Sequence, residues 1–365
     1  MSCEAPIRRV VAAAYDIPTD APEADGTLEW DSTTLVIVRI EAAGETGLGY
    51  TYSDASITRL ISGKLAPVID GRSAFDIAGA GAALWRSVRN LGRSGLAATA
   101  ISAIDTALWD LKARLLRVPM ARLLGMCRDE VAVYGSGGFT SYSDAQLQTQ
   151  LAGWVERDGC RWVKMKIGSE PTRDPHRVKV ARSVIGDAGL FVDANGAFAA
   201  KQALRLAVQM AEYDVTWFEE PVSSDDLAGL ALMRADGPPR MDIAAGEYIY
   251  TQDDAQRLLR RPSVDVLQAD VTRCGGISGF MKLAALCEAR HVDLSGHCAP
   301  ALHLHVACGA ARLRHLEWFH DHVRIEHMLF DGAPVAQDGC IRPDLSQPGY
   351  GLVFKERDAE QFEVR

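Results

Sequence analysis

A chain of 365 residues with 48% hydrophobic and 24% charged side chains has enough apolar surface for one or two ordinary globular domains. Its net charge of −9 argues against nucleic acid as a partner, since that needs a broad basic surface, yet leaves room for a local cationic site that takes a small anion. The eight cysteines include no CxxC spacing, and no stretch approaches the roughly 20 apolar residues of a membrane span, so the expectation is reduced thiols in the cytoplasm and no membrane contact.

Ile7 to Ala14 carries a trace of signal-peptide character, but its apolar run is short and continues as a strand. Residues 7–17 and 33–43 read as strands, the second on the β-branched run Thr34 to Ile40. Pro18 to Asp31 between them is polar and broken by Pro and Gly, with Leu28 and Trp30 near its end, and reads as a loop. A short strand and turn follow at Gly47 to Ser53. Helical spacing then takes over at 56–68, 74–91 and 97–116, where Ile101, Ile104, Leu108, Leu111 and Leu115 form one apolar face. This block is a compact α+β unit.

From Val131 the pattern changes. Eight strand-like runs, beginning near 131, 162, 190, 216, 242, 264, 292 and 316, alternate with helical segments such as 200–212, 253–259 and 277–289. That alternation predicts a (β/α) barrel, with an open doubly wound sheet as the other arrangement to weigh. The last segment, 326–365, is punctuated by Gly and Pro and leaves the alternation.

The carboxylates fall in a pattern. Asp193, Glu219 and Glu247 each end one of three consecutive strands, 26 and 28 positions apart, one strand–helix repeat each time. Barrel active sites are built at that end of the strands. Three converging carboxylates repel unless a cation neutralises them, and hard oxygen donors suit Mg²⁺, with Mn²⁺ able to substitute. Asp270 and His297 end later strands, so Asp270 can orient the imidazole and support its charged form. Glu317, on the eighth strand, can hydrogen-bond a substrate oxygen if crowding raises its pKa.

Lys164 and Lys166 share one face of the strand at 162–167, with Val163, Met165 and Ile167 on the other. Two adjacent ammonium groups favour the neutral form of one of them, which would bring a lysine toward the range of a general base. Other signals carry less. His303, His305, His315, His320 and His322 crowd the end of the barrel without being needed by a carboxylate-bound cation. Gly135-Ser136-Gly137-Gly138 lacks phosphate-loop spacing, Asn195-Gly196 suits a turn, and Glu220 is read as backing the site.

Taken together, Lys164-x-Lys166, the Asp193/Glu219/Glu247 set, the Asp270–His297 pair and Glu317 resemble the mandelate racemase subgroup of the enolase superfamily. The resemblance covers nearly the whole chain. It implies a (β/α)7β TIM-like barrel over 126–325, an N-terminal α+β capping domain over 1–125, and a C-terminal segment, 326–365, that completes the cap. It further implies Mg²⁺ on Asp193, Glu219 and Glu247, Lys166 as one base with Lys164 lowering its pKa and touching the substrate carboxylate, and His297 on the opposite face. Asn195 and Glu317 would bond the enediolate intermediate. The implied reaction starts with removal of the proton beside a carboxylate, in a small-molecule substrate, in a homo-oligomeric enzyme. Dehydration of an acid sugar to a 2-keto-3-deoxy acid is the leading expectation. Racemisation or epimerisation of an α-hydroxy or α-amino acid is the alternative, and a carboxylate-binding barrel without turnover is the third.

Overall fold

The structure is a computed structural model that describes residues 5–364; Cys3 lies outside them. Three antiparallel strands in the order β1-β2-β3 form the cap sheet: β1 Ile7–Ala24, β2 Glu29–Ala42 and β3 Glu45–Tyr52. The buried helix Leu96–Leu116 lies against β3. Gly47 and Gly49 let it approach, since a Cβ at either would meet backbone of Ala107 or Ala103 in that helix. Asp110 in the helix accepts from Leu48 N (2.8 Å), Tyr350 N (3.0 Å) and Arg114 Nε (2.6 Å), which joins cap sheet, cap helix and C-terminal segment at one buried carboxylate.

The stretch expected as a loop at 18–31 is instead a hairpin. β1 and β2 pair from Ile7↔Ala42 to Ala24↔Glu29, with a register shift between Pro18 and Glu23. Proline is tolerated there because β1 is an edge strand, and the register shift absorbs the irregularity. The turn is closed by Asp25, whose Oδ1 accepts from Thr27 N (2.6 Å) and Leu28 N (2.8 Å).

The barrel strands are β4 Val131–Gly137, β5 Trp162–Lys166, β6 Gly189–Asp193, β7 Val215–Glu219, β8 Asp242–Ala245, β9 Val266–Ala269, β10 Asp293–Gly296 and β11 Leu313–Phe319. They run parallel in sequence order, and β11 pairs with β4 to close the cylinder, which excludes the open doubly wound sheet. Below the charged layer the interior is filled by Tyr134, Phe191, Trp217 and His315, whose rings pack at centroid distances of 4.8–6.3 Å. The face of β5 carrying Val163 and Met165 is buried in the main apolar core.

After β11 a helix, His320–Leu329, leads into the C-terminal segment. Cys340–Ile341 pairs with the start of β4, Phe330–Asp331 with Val353–Phe354, and Val364 N donates to Ala14 O in β1. The segment therefore crosses the barrel and returns to the cap.

The hairpin tip reaches the mouth of the barrel. Thr140 donates through N to Ala24 O and through Oγ1 to Asp25 O, and Ser141 Oγ donates to Pro22 O. Trp30 meets Phe139 edge to face at 5.7 Å, beside Tyr142, Cys298 and Phe319.

Candidate active site

Strand register places the first three charged groups. Lys166 pairs with Asp193, and Asp193 with Glu219, so three neighbouring strands carry them at one level. Glu247 follows β8 through Gly246, whose φ of 137° lies in the region glycine favours. Carboxylate oxygens of Asp193, Glu219 and Glu247 all lie within 4.8 Å of one another, and all three residues are buried. Glu247 Oε2 has no hydrogen-bond partner among the described residues. A hard divalent cation fits this donor set: three anionic oxygens, one of them without a donor, in a site where burial penalises bare charge.

The two lysines are already engaged. Lys164 Nζ lies 2.7 and 2.8 Å from the oxygens of Glu219 and 2.8 Å from Glu317 Oε1; Lys166 Nζ lies 2.5 Å from Asp193 Oδ2 and 3.2 Å from Asn195 Oδ1. Burial works against both charges, but Glu219 and Glu317 hold Lys164 well above its ordinary pKa, and Asp193 does the same for Lys166. The expectation that mutual repulsion lowers one lysine is thus corrected: each ammonium sits on carboxylates of its own, and that attraction outweighs the repulsion. Burial and the neighbouring Asp193 push Glu219 up to about 8. Glu317 goes the other way, also against expectation. Despite its burial, Lys164 and His297 hold its carboxyl well below the usual range, so it is an acceptor. It takes Ser136 Oγ at 2.6 Å and Cys298 N at 3.0 Å.

His297 Nδ1 lies 2.8 Å from Asp270 Oδ2. Its Nε2 has Cys298 Sγ at 3.3 Å, Glu247 Oε2 at 3.6 Å and Glu317 Oε2 at 3.8 Å. Burial disfavours the imidazolium, yet Glu247, Glu317 and Asp270 together raise its pKa. Asp270 stays ionised against its burial through His297 and Arg273, and its Oδ1 accepts from Thr272 N at 2.6 Å. Cys298 and Ala299 have φ of 51° and 39°, left-handed conformations that hold the loop after His297 in one shape.

Every residue expected from the sequence therefore reaches one place. Asn195 sits in the turn after β6 with φ 45°, its N donating to Asp193 Oδ1 at 2.9 Å. Glu220 lies behind the triad, buried, with Oε1 lacking a partner among the described residues. The Gly135–Gly138 run belongs to the strand and its exit: Gly135 makes room for the ring of Trp154, and Ser136 serves Glu317. Among the five late histidines, His303 Nε2 accepts from Val271 N at 2.8 Å behind Asp270, and His322 stacks on Tyr52 at 3.5 Å. Sequence reasoning missed Arg273, which lies 3.3 Å from Glu247 Oε1 and 3.6 Å from Asp270 Oδ2, and it missed Cys298 and Ser136 as partners of His297 and Glu317. The only signal for Arg273 was its place three residues after Asp270.

Above these groups opens a cleft of about 480 Å³. Lys166, Asn195, Glu247, His297 and Glu317 form its floor, and Trp30, Thr34, Ser53 and Asp54 line it from the cap.

A closed barrel with lysines on its second strand, carboxylates ending the third, fourth and fifth, and a histidine–aspartate pair beyond them defines a carboxylate-handling enzyme of the enolase type. The chain belongs to the mandelate racemase/muconate lactonizing enzyme family of that superfamily: residues 13–125 match the mandelate racemase/muconate lactonizing enzyme N-terminal domain, and 146–359 the enolase C-terminal domain-like family. It is 35% identical to 3,6-anhydro-alpha-L-galactonate cycloisomerase of Streptomyces coelicolor, over 95% of this chain and 97% of that one. It is 32% identical to L-talarate/galactarate dehydratase of Salmonella typhimurium, over 82% and 77%. Among solved structures, a mandelate racemase/muconate lactonizing enzyme-like protein from Rubrobacter xylanophilus superposes with a TM-score of 0.96 at 48% identity, covering 98% of this chain and all of that one. A Streptomyces coelicolor racemase with bound magnesium gives 0.92 at 32% identity, with the same coverage.

Proposed function

We propose that the enzyme removes the proton beside the carboxylate of an acid sugar and expels the β-hydroxyl as water, yielding a 2-keto-3-deoxy acid. The observation that carries this reading is that Lys166 and the Nε2 side of His297 open on one cleft whose floor also holds Glu247 and Glu317. Bound on Asp193, Glu219 and Glu247, Mg²⁺ supplies positive charge beside the substrate carboxylate, which acidifies the adjacent C–H.

The chain's own groups do the rest. Lys166 takes the α-proton as the neutral amine, a form that its contact with Asp193 opposes and that a cation drawing on the Asp193 charge would favour, and the C–H electron pair moves into the enediolate. Lys164, held between Glu219 and Glu317, keeps a fixed positive charge below the carboxylate site. His297 gives its Nε2 proton to the departing β-oxygen as the C–O bond breaks, with Asp270 steadying the charged ring. The resulting enol then tautomerises to the ketone. Asn195 and Glu317 orient the substrate hydroxyls, Glu317 as an acceptor. Capping residues Trp30, Thr34, Ser53 and Asp54 face the distal end of the substrate and select its length and configuration.

The same pair of groups supports isomerisation, in which one removes the α-proton and the other returns it to the opposite face. Relatives that are a cycloisomerase and a racemase favour keeping this second reading. One experiment separates them: the Mg²⁺-loaded enzyme is incubated in D₂O with a panel of aldonates and aldarates, L-talarate and galactarate included. Accumulation of a 2-keto-3-deoxy acid is expected. Deuterium incorporation with stereochemical inversion and no keto acid would replace the dehydratase by an isomerase. Inertness toward the panel and toward α-hydroxy and α-amino acids would favour the carboxylate-binding barrel.

Mn²⁺ is expected to substitute for Mg²⁺, since the donors are all carboxylates. The described cysteines are free thiols and no described helix is long and apolar enough to cross a membrane, which supports a reading as a cytoplasmic enzyme. The family resemblance supports a homo-oligomer, which light scattering in solution would test.

A further inference from the structure

A second group of ligating side chains lies outside the cleft, where the cap hairpin meets the barrel. Asp20 and Glu23 come from β1, and His320 opens the helix after β11. One ligand atom from each lies within 4.8 Å of the other two, and His320 Nε2 is 2.9 Å from Asp20 Oδ2. The independent observation is Glu23. The residue is 1% exposed, its Oε2 accepts from Trp30 Nε1 at 2.8 Å, and its Oε1 has no partner among the described residues. An anionic oxygen buried without a donor costs free energy until a proton or a cation reaches it. Asp321 beside it repeats the problem: it is fully buried, Oδ1 takes Arg324 Nε at 3.0 Å, and Oδ2 is bare. Two buried carboxylates thus each keep an oxygen without a partner among the described residues, while the guanidinium of Arg324 is taken up by Asp321. Asp20 and His320 also line a solvent-open cleft of about 500 Å³, which gives an ion a way in.

We propose that Asp20, Glu23 and His320 form a second cation site, distinct from the carboxylate triad, for a first-row transition ion such as Zn²⁺ or Mn²⁺. One imidazole nitrogen with two carboxylates suits these ions better than Mg²⁺ or Ca²⁺, which take oxygen donors. The ion replaces the proton on His320 Nε2, gives Glu23 Oε1 its missing partner and pins the hairpin to the barrel. Because Glu23 also holds Trp30, and Trp30 lines the substrate cleft, the site fixes one wall of that cleft from behind.

The test is equilibrium dialysis of the full chain against Zn²⁺ in excess Mg²⁺, with amide hydrogen exchange of residues 18–31 followed in parallel. The wild type is expected to hold one Zn²⁺ that excess Mg²⁺ does not displace, and to show slowed exchange in the hairpin. Glu247→Gln, which disables the triad, should keep both responses. Asp20→Asn and His320→Gln should weaken Zn²⁺ at least tenfold and lose the slowed exchange. Asp20 is half exposed, so its variant is expected to fold even if the histidine variant does not. Absence of Mg²⁺-resistant Zn²⁺ from the wild type, or its retention in Asp20→Asn, would overturn the proposal; loss in Glu247→Gln alone would assign the ion to the triad instead.

Discussion

Asp270 Oδ2 lies 2.8 Å from His297 Nδ1, so the carboxylate fixes which ring nitrogen faces the cleft. Asp270→Asn keeps the size of the side chain and reverses that logic, since the amide can donate to Nδ1 and turn the ring to the wrong tautomer. Turnover is expected to fall about 10²- to 10⁴-fold, the usual range for general acid–base catalysis, with little change in thermal midpoint. His297→Asn and Lys166→Ala should divide the reaction. Under the proposed roles, the lysine variant loses exchange of the substrate α-proton with D₂O, whereas the histidine variant keeps exchange and loses elimination. The reverse pattern in D₂O would exchange the two assignments.

Lys164 is fully buried between Glu219 and Glu317 and stands in part where a cation's charge would act. Lys164→Met leaves both carboxylates without that partner, a change that costs about 3–5 kcal/mol when a buried pair is broken from one side. The metal-free variant is expected to melt well below the wild type. Mg²⁺ should then restore more stability to the variant than it adds to the wild type, where saturation a hundredfold over Kd is worth about 2.7 kcal/mol. Equal Mg²⁺-induced shifts in thermal midpoint would show that Lys164 and the cation do not compete for Glu219.

Gly26 at the hairpin tip has no room for a side chain: a Cβ there would meet the backbone oxygens of Ala194 and of Ile167, the latter at 2.7 Å. Those oxygens belong to the residues that immediately follow β6 and β5, beside Asp193 and Lys166. Gly26→Ala must lift the tip, at a cost of about 1–3 kcal/mol if the contact is relieved by backbone shifts. Because the hairpin carries Trp30 over the cleft, KM for the substrate is expected to rise at least tenfold while global unfolding changes modestly. Steady-state kinetics beside a melting curve would check this, and unchanged KM would mean that the tip does not contribute to the cleft wall.

Much of this site is legible in the chain because barrel geometry converts spacing into position. One carboxylate per strand–helix repeat, read at Asp193, Glu219 and Glu247, is enough to predict that they converge, and one oxygen from each lies within 4.8 Å of the other two. The two-residue period of a strand likewise predicts that Lys164 and Lys166 share a face. What the spacing does not carry is which opposite charge each group meets. The lysines looked mutually repulsive in one dimension, while in three dimensions Glu317, some 150 residues later in the chain, lies 2.8 Å from Lys164. The same holds for Arg273 and Cys298, ordinary loop residues until the barrel closes. The hairpin was hidden for another reason: Pro18, Pro22 and Gly26 signal a loop locally, and only an edge strand with a register shift tolerates the two prolines.

Glu326 tests how the cap is held to the barrel. It accepts from Tyr50 Oη of β3 at 2.5 Å and from Ala301 N at 3.1 Å, and burial pushes its carboxyl up to about 8 although both hydrogen bonds act the other way. In the unfolded chain a glutamate titrates near 4.3. Between those two values the folded protein holds a proton that the unfolded chain has released, so unfolding loses a proton and stability declines as pH rises. The contribution is fully present below about pH 4.3 and is lost as pH climbs through about 8. Glu326→Gln keeps an acceptor oxygen for Ala301 N and sets an amide N–H toward Tyr50 Oη, which then turns from donor to acceptor, without a charge to bury. The variant is expected to match the wild type near pH 5 and to exceed its stability near pH 8, with a flatter dependence between them. Urea unfolding at stepped pH measures this directly, and parallel curves for the two proteins would show that Glu326 is ionised throughout and that its two hydrogen bonds outweigh burial.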